Sequence, residues 1–297
     1  MSSEVIRLDG VIDLHAHGGP DVRPRKMTGL ELARAAQQAG MRGFLFKNHH
    51  APTVLPAALL REAVPGLEVF GGLALNHSVG GLNPAAVEAA LKMGAAEIWM
   101  PTLDAAHERA FRGHPGSGIT VFNERGDERG RLLDSVQEIL RLIAASDCIL
   151  GLGHLSFPEM LAVLRAGREL GIEKFLVNHP EIEFLNLSPS MQRELAGPGV
   201  YFERCYVRAN QAVGWDGLAR VIREVGVEST VLATDLGQPD NPDPVSGMRE
   251  MLQQLAARGF TRAELAVMTC RNPSRLLARL LGLCGESAST AAGAADR

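Results

Sequence analysis

Short apolar runs rich in β-branched residues alternate along this chain with longer amphipathic ones. The short runs begin near Val11, Gly43, Leu67, Ala96, Cys148, Lys174, Gly199 and Ser229 and read as strands. Between them the apolar spacing predicts helices over 29–39, 53–63, 84–93, 132–146, 157–170, 215–225 and 246–258, with a weaker pattern near 189–195. In the first of these, Leu30, Ala33 and Gln37 fall on one stripe, and Gly40 suits the residue after a helix end. Strand starts lie about 25 to 32 residues apart, the length of one strand–helix unit. The step from the fourth strand to the fifth is longer, about 52 residues, against that same unit.

Several strand-like runs close on a residue type that binds metals. Asp13-Leu14-His15-Ala16-His17 follows the first run, His154 closes the fifth, His179 the sixth and Asp235 the eighth. Side chains two apart on a strand face the same way, so His15 and His17 can hold one cation together. Imidazole and carboxylate suit zinc and similar divalent ions. Eight strands alternating with helices fit either an open doubly wound sheet or a closed (β/α)8 barrel of the TIM type. The barrel is favoured because ends of strands one, five, six and eight would be spread out in an open sheet and converge at a barrel mouth.

The long connection after strand four, 104–130, falls on that same face. It holds His107, His114, the run Pro115-Gly116-Ser117-Gly118 and a hairpin-like segment at 119–126, and it reads as a lid-like insertion. The barrel is expected to span 1–284. The tail at 285–297, rich in Ala, Ser and Thr, reads as disordered.

Composition narrows the partners. The chain has 297 residues, 46% of them hydrophobic, and a formal net charge of −4. That length suits one large barrel, and that charge argues against nucleic acid. Cys148, Cys205, Cys270 and Cys284 form no C-x-x-C pair and read as reduced thiols. No run of membrane-spanning length occurs, and the N-terminus reads as lacking a secretory signal. A cytoplasmic enzyme with a small-molecule substrate, compatible with a homo-oligomer, is the expectation.

Other candidates surround the ligand set. His49, His50 and His77 follow strands two and three and so face the mouth. Arg23 and Arg25 follow the H-x-H motif, and guanidinium suits a carboxylate, so the substrate is expected to be small and anionic. No phosphate-binding glycine loop and no G-x-S-x-G occurs.

These residues resemble the amidohydrolase superfamily of metal-dependent barrel hydrolases. The likeness rests on His15, His17, His154, His179 and Asp235 in strand order, and on the closing stretch 272–283, similar to that superfamily's final helix. It implies one or two divalent ions, zinc by preference, held by those five residues. It also implies that Asp235 takes a proton from the attacking water. The segments 15–21 and 46–50 look like an uncharacterised branch, which supplies a reaction class and no substrate. Many relatives carry a bridging lysine or glutamate after strand four. Here that strand ends Ile98-Trp99-Met100-Pro101-Thr102, so either Lys47 after strand two or Glu203 after strand seven bridges, or the site holds one ion. The bond cleaved is expected to be an amide, a lactone or a related C–N or C–O bond. A phosphoesterase or decarboxylase on the same barrel, or a non-catalytic metal-binding barrel, are the alternatives.

Overall fold

The computed structural model describes residues 7–123, 130–207 and 211–283. Eight strands form one parallel sheet in the order of the chain: β1 (Ile12–Ala16), β2 (Gly43–Phe46), β3 (Glu68–Ala74), β4 (Glu97–Trp99), β5 (Ile149–Gly151), β6 (Phe175–Asn178), β7 (Val200–Arg204) and β8 (Thr230–Leu232). The sheet closes on itself just beyond β8, where the His17 amide donates to the Leu236 carbonyl at 2.8 Å and the Asp235 amide to the His15 carbonyl at 2.7 Å. This is the expected (β/α)8 barrel, and each strand begins within one residue of its predicted start. Parallel barrel strands are covered on both faces and read as unbroken apolar runs, which made them easy to place.

Helices α1 (Gly29–Gln38), α2 (Val54–Ala63), α3 (Pro84–Lys92), α4 (Ala106–Phe111), α5 (Asp134–Ala144), α6 (Phe157–Glu169), α7 (Pro189–Leu195), α8 (Trp215–Val225) and α9 (Pro244–Ala257) surround the barrel. Local chemistry sets their starts. Thr28 and Glu31 form a capping box before α1, and Ser156 and Glu159 form one before α6. The buried face of α1 is Gly29, Leu32, Ala33 and Ala36. The expected stripe shares only Ala33 with it. Gln37 is exposed and donates to the Pro65 carbonyl, because its amide finds a partner at the rim of the helix. The predicted closing helix is shorter than the stretch 272–283: α10 (Arg262–Ala266), one π turn (Val267–Arg271) and α11 (Asn272–Leu276) run in series. Leu276 and Leu277 bury with Ile12, Leu45, Ile149 and Val231 inside the barrel.

The connection after β4 contains α4, which the sequence reading took as loop. Ile119 pairs in parallel with Ala105, and Phe122 pairs antiparallel with Leu132. Val121 and Phe122 lie in the core. The remainder of that segment, Cys284 and the 285–297 tail lie outside the described residues. Cys148, Cys205 and Cys270 form no disulfide among the described residues. No helix among the described residues is long and apolar enough to cross a membrane.

Candidate metal centre

The register of β1 against β2 slips between Asp13 and Ala16. Such a bulge re-aims side chains and leaves an amide without its ladder partner. Asp13 supplies that partner. Its carboxylate accepts from the His15 amide at 3.0 Å, and across the closing seam from the Thr234 amide at 3.0 Å and the Thr234 hydroxyl at 2.6 Å. Burial pushes the Asp13 carboxyl up to about 6, against the pull of these hydrogen bonds. The seam fixes His15 and His17 relative to Asp235. Asp235 sits at φ 51°, a left-handed conformation rare for a residue with a side chain. His179 is held similarly, at φ 29°. Strain of this kind collects where side chains must be aimed.

His15 Nε2, His17 Nε2 and one Asp235 oxygen form a triangle with all three edges 3.2 Å. The other ring nitrogens are engaged. His17 Nδ1 donates to the Lys47 carbonyl at 3.0 Å, and His15 Nδ1 to Glu203 at 2.7 Å. With the protons on Nδ1, both Nε2 lone pairs face a common point. Burial holds His15 well below the ordinary histidine range and His17 down to about 4, so both rings are neutral at neutral pH. Two such lone pairs beside a carboxylate repel unless a cation lies among them. A tetrahedral ion with bonds of about 2.0 Å separates its ligands by about 3.3 Å, which the triangle matches. The donor set fits a divalent ion.

A second group lies beside this triangle. The His154 and His179 rings are 4.8 Å apart, and His179 is 5.8 Å from His15. Nδ1 of His154 donates to Glu108 of α4, and its Nε2 is buried without a hydrogen-bond partner. Burial alone would raise the Glu108 carboxyl, but His154 and Arg112 outweigh it and hold it down to about 2. Lys47 is fully buried, its Nζ 4.9 Å over the Trp99 ring and without a hydrogen-bond partner. Glu97 and Glu203 share this interior, each about 3.4 Å from the Asn178 amide nitrogen. Burial pushes both carboxyls up, and Lys47 opposes it.

The triangle opens on a pocket of about 460 Å³ lined by His17, His49, His154, His179 and Asp235 at its floor and by Arg23, Arg25, Arg112, Ile182, Phe184 and Gln238 at its walls. Arg25 is paired with Asp21 and reaches His17 at 3.4 Å. Arg23 has no ion-pair partner among the described residues. His49 packs on His17 with ring centroids 5.1 Å apart, its Nδ1 bonded to the Thr102 hydroxyl. His50 and His77 are not among the lining residues. His77 is exposed in a short turn (His77–Val79), its ring against the Ser117 carbonyl at 3.3 Å. His107 ties α4 to the Phe184 carbonyl at 2.7 Å, and His114 is exposed. Asp13, Glu108, Arg112 and Phe184 were not singled out from the sequence. Glu108 and Arg112, four apart, are the one pair whose spacing could have signalled a helix there.

A family model described as a family of unknown function, DUF6282, matches residues 10–203. No curated protein sequence matches the chain. Among solved structures, an amidohydrolase from Pseudomonas aeruginosa is 13% identical with a TM-score of 0.64, over 92% of this chain and 97% of that one. A probable dipeptidase, PvdM, from the same organism is 11% identical with a TM-score of 0.63, over 92% and 96%. The phosphotriesterase homology protein from Escherichia coli, with phosphate in its active site, is 14% identical with a TM-score of 0.57, over 91% and 99%. At these identities the likeness is one of fold, and it is the fold the H-x-H pattern led us to expect.

Proposed function

The chain belongs to DUF6282, a family of unknown function, and for this member we propose a metal-dependent hydrolase of amidohydrolase type. The observation that carries the reading is the 3.2 Å triangle of His15, His17 and Asp235, with both histidine Nδ1 protons engaged elsewhere. The structural neighbours, an amidohydrolase, a probable dipeptidase and a phosphotriesterase homology protein, support it.

His15, His17 and Asp235 hold the first ion. His154 and His179 complete its shell or hold a second ion, with Lys47 as the bridging candidate. Zinc suits this nitrogen and oxygen set. Such an ion supplies Lewis acidity, polarising a substrate carbonyl and making water a stronger acid. Asp235 accepts the proton of the attacking water from its place in the triangle with His15 and His17. His49 orients the scissile group from the pocket floor. Arg23 and Arg25 draw an anionic group of the substrate to the rim. Ile182 and Phe184 offer apolar wall to its body.

The arginines also suit a phosphate, so a phosphoesterase is the second reading. The test is elemental analysis of protein purified without chelator, followed by a panel of amides, lactones, carboxylic esters and phosphoesters. One or two transition ions per chain and turnover of a C–N or C–O substrate are expected. Protein that is metal-free, and that takes up neither zinc, manganese nor iron, would sink the proposal.

A further inference from the structure

We propose that Glu108 is a positioning residue that fixes the tautomer and aim of His154. Both oxygens of this carboxylate are committed. One accepts from His154 Nδ1, and the other accepts from Arg112 Nε at 2.6 Å, one turn further along α4. Glu108 is fully buried, while the Arg112 side chain is about half exposed. Arg112 also lies against the Phe184 ring at 5.9 Å, and Phe184 packs on the His154 ring at 4.9 Å. The grip on His154 therefore comes from α4, outside the strand that carries it.

The backbone at His154 is constrained independently. The His154 amide donates to the Pro101 carbonyl at 2.9 Å. Gly153 stands at φ 59°, where a Cβ would fall 2.4 Å from the Met100 carbonyl oxygen. Only ring rotation and tautomer are left open, and Glu108 closes both. A neutral imidazole carries one N–H. A carboxylate at Nδ1 keeps the proton there and leaves Nε2 as a lone pair. That Nε2 is buried without a hydrogen-bond partner, and the ring lines the pocket. The connection after β4 thus delivers a group that prepares the pocket floor.

Imidazole nitrogen NMR on metal-free protein with labelled histidine tests this, and the readout does not depend on the hydrolase reading. A failure of that reading would show instead as absent metal uptake by the parent chain. In the parent, His154 should be the Nδ1–H tautomer, with that proton far downfield. Glu108→Gln is isosteric but has one acceptor oxygen for two donors, His154 Nδ1 and Arg112 Nε, so the Nδ1–H tautomer should persist only where that oxygen faces His154. Its proton should move upfield, because an amide accepts more weakly than a carboxylate. Glu108→Ala should release the tautomer to a mixture. It should also weaken zinc binding about 10- to 100-fold, the usual effect of losing such a partner. An unchanged Nδ1 proton resonance in folded Glu108→Gln, or an unchanged tautomer in Glu108→Ala, overturns the proposal.

Discussion

Replacing Asp13 separates two roles of one carboxylate, hydrogen-bond acceptor and buried charge. In Asp13→Ala the His15 and Thr234 amides lose their acceptor, and the Thr234 hydroxyl keeps only the His15 carbonyl, at 3.3 Å, to donate to. Two unpaired buried amides, at about 1 to 3 kcal/mol each, and a weakened hydroxyl bond predict a loss of roughly 3 to 6 kcal/mol. Asp13→Asn keeps the amide acceptor. Its NH2 can donate to the Thr234 hydroxyl, which turns its own proton to the His15 carbonyl. The charge acts in the other direction. Burial raises the Asp13 carboxyl from 3.8 to about 6. The folded state therefore holds this proton more tightly than the unfolded chain, and stability falls as pH climbs from about 4 through 6. At about 1.4 kcal/mol per tenfold difference in proton affinity, this costs the parent about 2 kcal/mol between pH 4.5 and 7.5. Asn has no such proton. Urea unfolding of chelator-treated protein at those two pH values should show Asp13→Ala far less stable than the parent. It should show Asp13→Asn gaining on the parent by about 2 kcal/mol as pH rises. An Ala variant within 1 kcal/mol of the parent, or an Asn variant whose difference from it does not change with pH, refutes the reasoning.

Three further outcomes are expected. Lys47→Ala should lower metal content toward one ion per chain if the lysine bridges two; unchanged content by elemental analysis removes the bridge. Asp235→Asn should fold and lower turnover by at least about 100-fold at full metal loading, and turnover within a few-fold of the parent would show that another group is the base. Arg23→Ala should weaken inhibition by small carboxylates about tenfold or more while leaving uncharged competitors unaffected, since a charged hydrogen bond contributes about 1.5 to 3 kcal/mol; equal losses for both classes would discard the anion role.

The barrel was legible because its strands carry their own signal and their spacing repeats. The convergence of His15, His17 and Asp235 was legible because H-x-H is a local pattern and Asp235 closely follows a strand. The Asp13 role was hidden. It depends on a β-bulge and on a seam between residues 221 apart in sequence, and neither leaves a periodic trace. The α4 helix was hidden too, since its stretch Ala106–Phe111 is too short for an apolar stripe and carries His, Glu and Arg. His77 shows the opposite error. Strand order placed it at the mouth, but the chain turns after β3 and carries its ring to the surface. Position after a strand fixes which end of the barrel a residue occupies, and the loop's path decides whether it reaches the pocket.

Charge pairing around the pocket bears on the substrate. Arg25 is matched by Asp21 and Arg112 by Glu108, while Lys47 acts electrostatically on both Glu97 and Glu203 in the barrel interior. Burial keeps the His15 and His17 rings neutral. The triangle therefore contributes one negative charge, that of Asp235. A dication held there reverses its sign and leaves about one positive charge facing the pocket, beside Arg23 on the wall. The whole chain is acidic, at −4, so its long-range field does not draw anions. Selection for them acts inside the pocket, where the apolar walls of Ile182 and Phe184 screen charge less than bulk water does. A compact substrate with one anionic group and an apolar body would suit Arg23 and the apolar wall, whereas a second negative charge would add repulsion from Asp235. On the proposed reading, monoanionic amides and lactones come first in the substrate panel, ahead of phosphate monoesters.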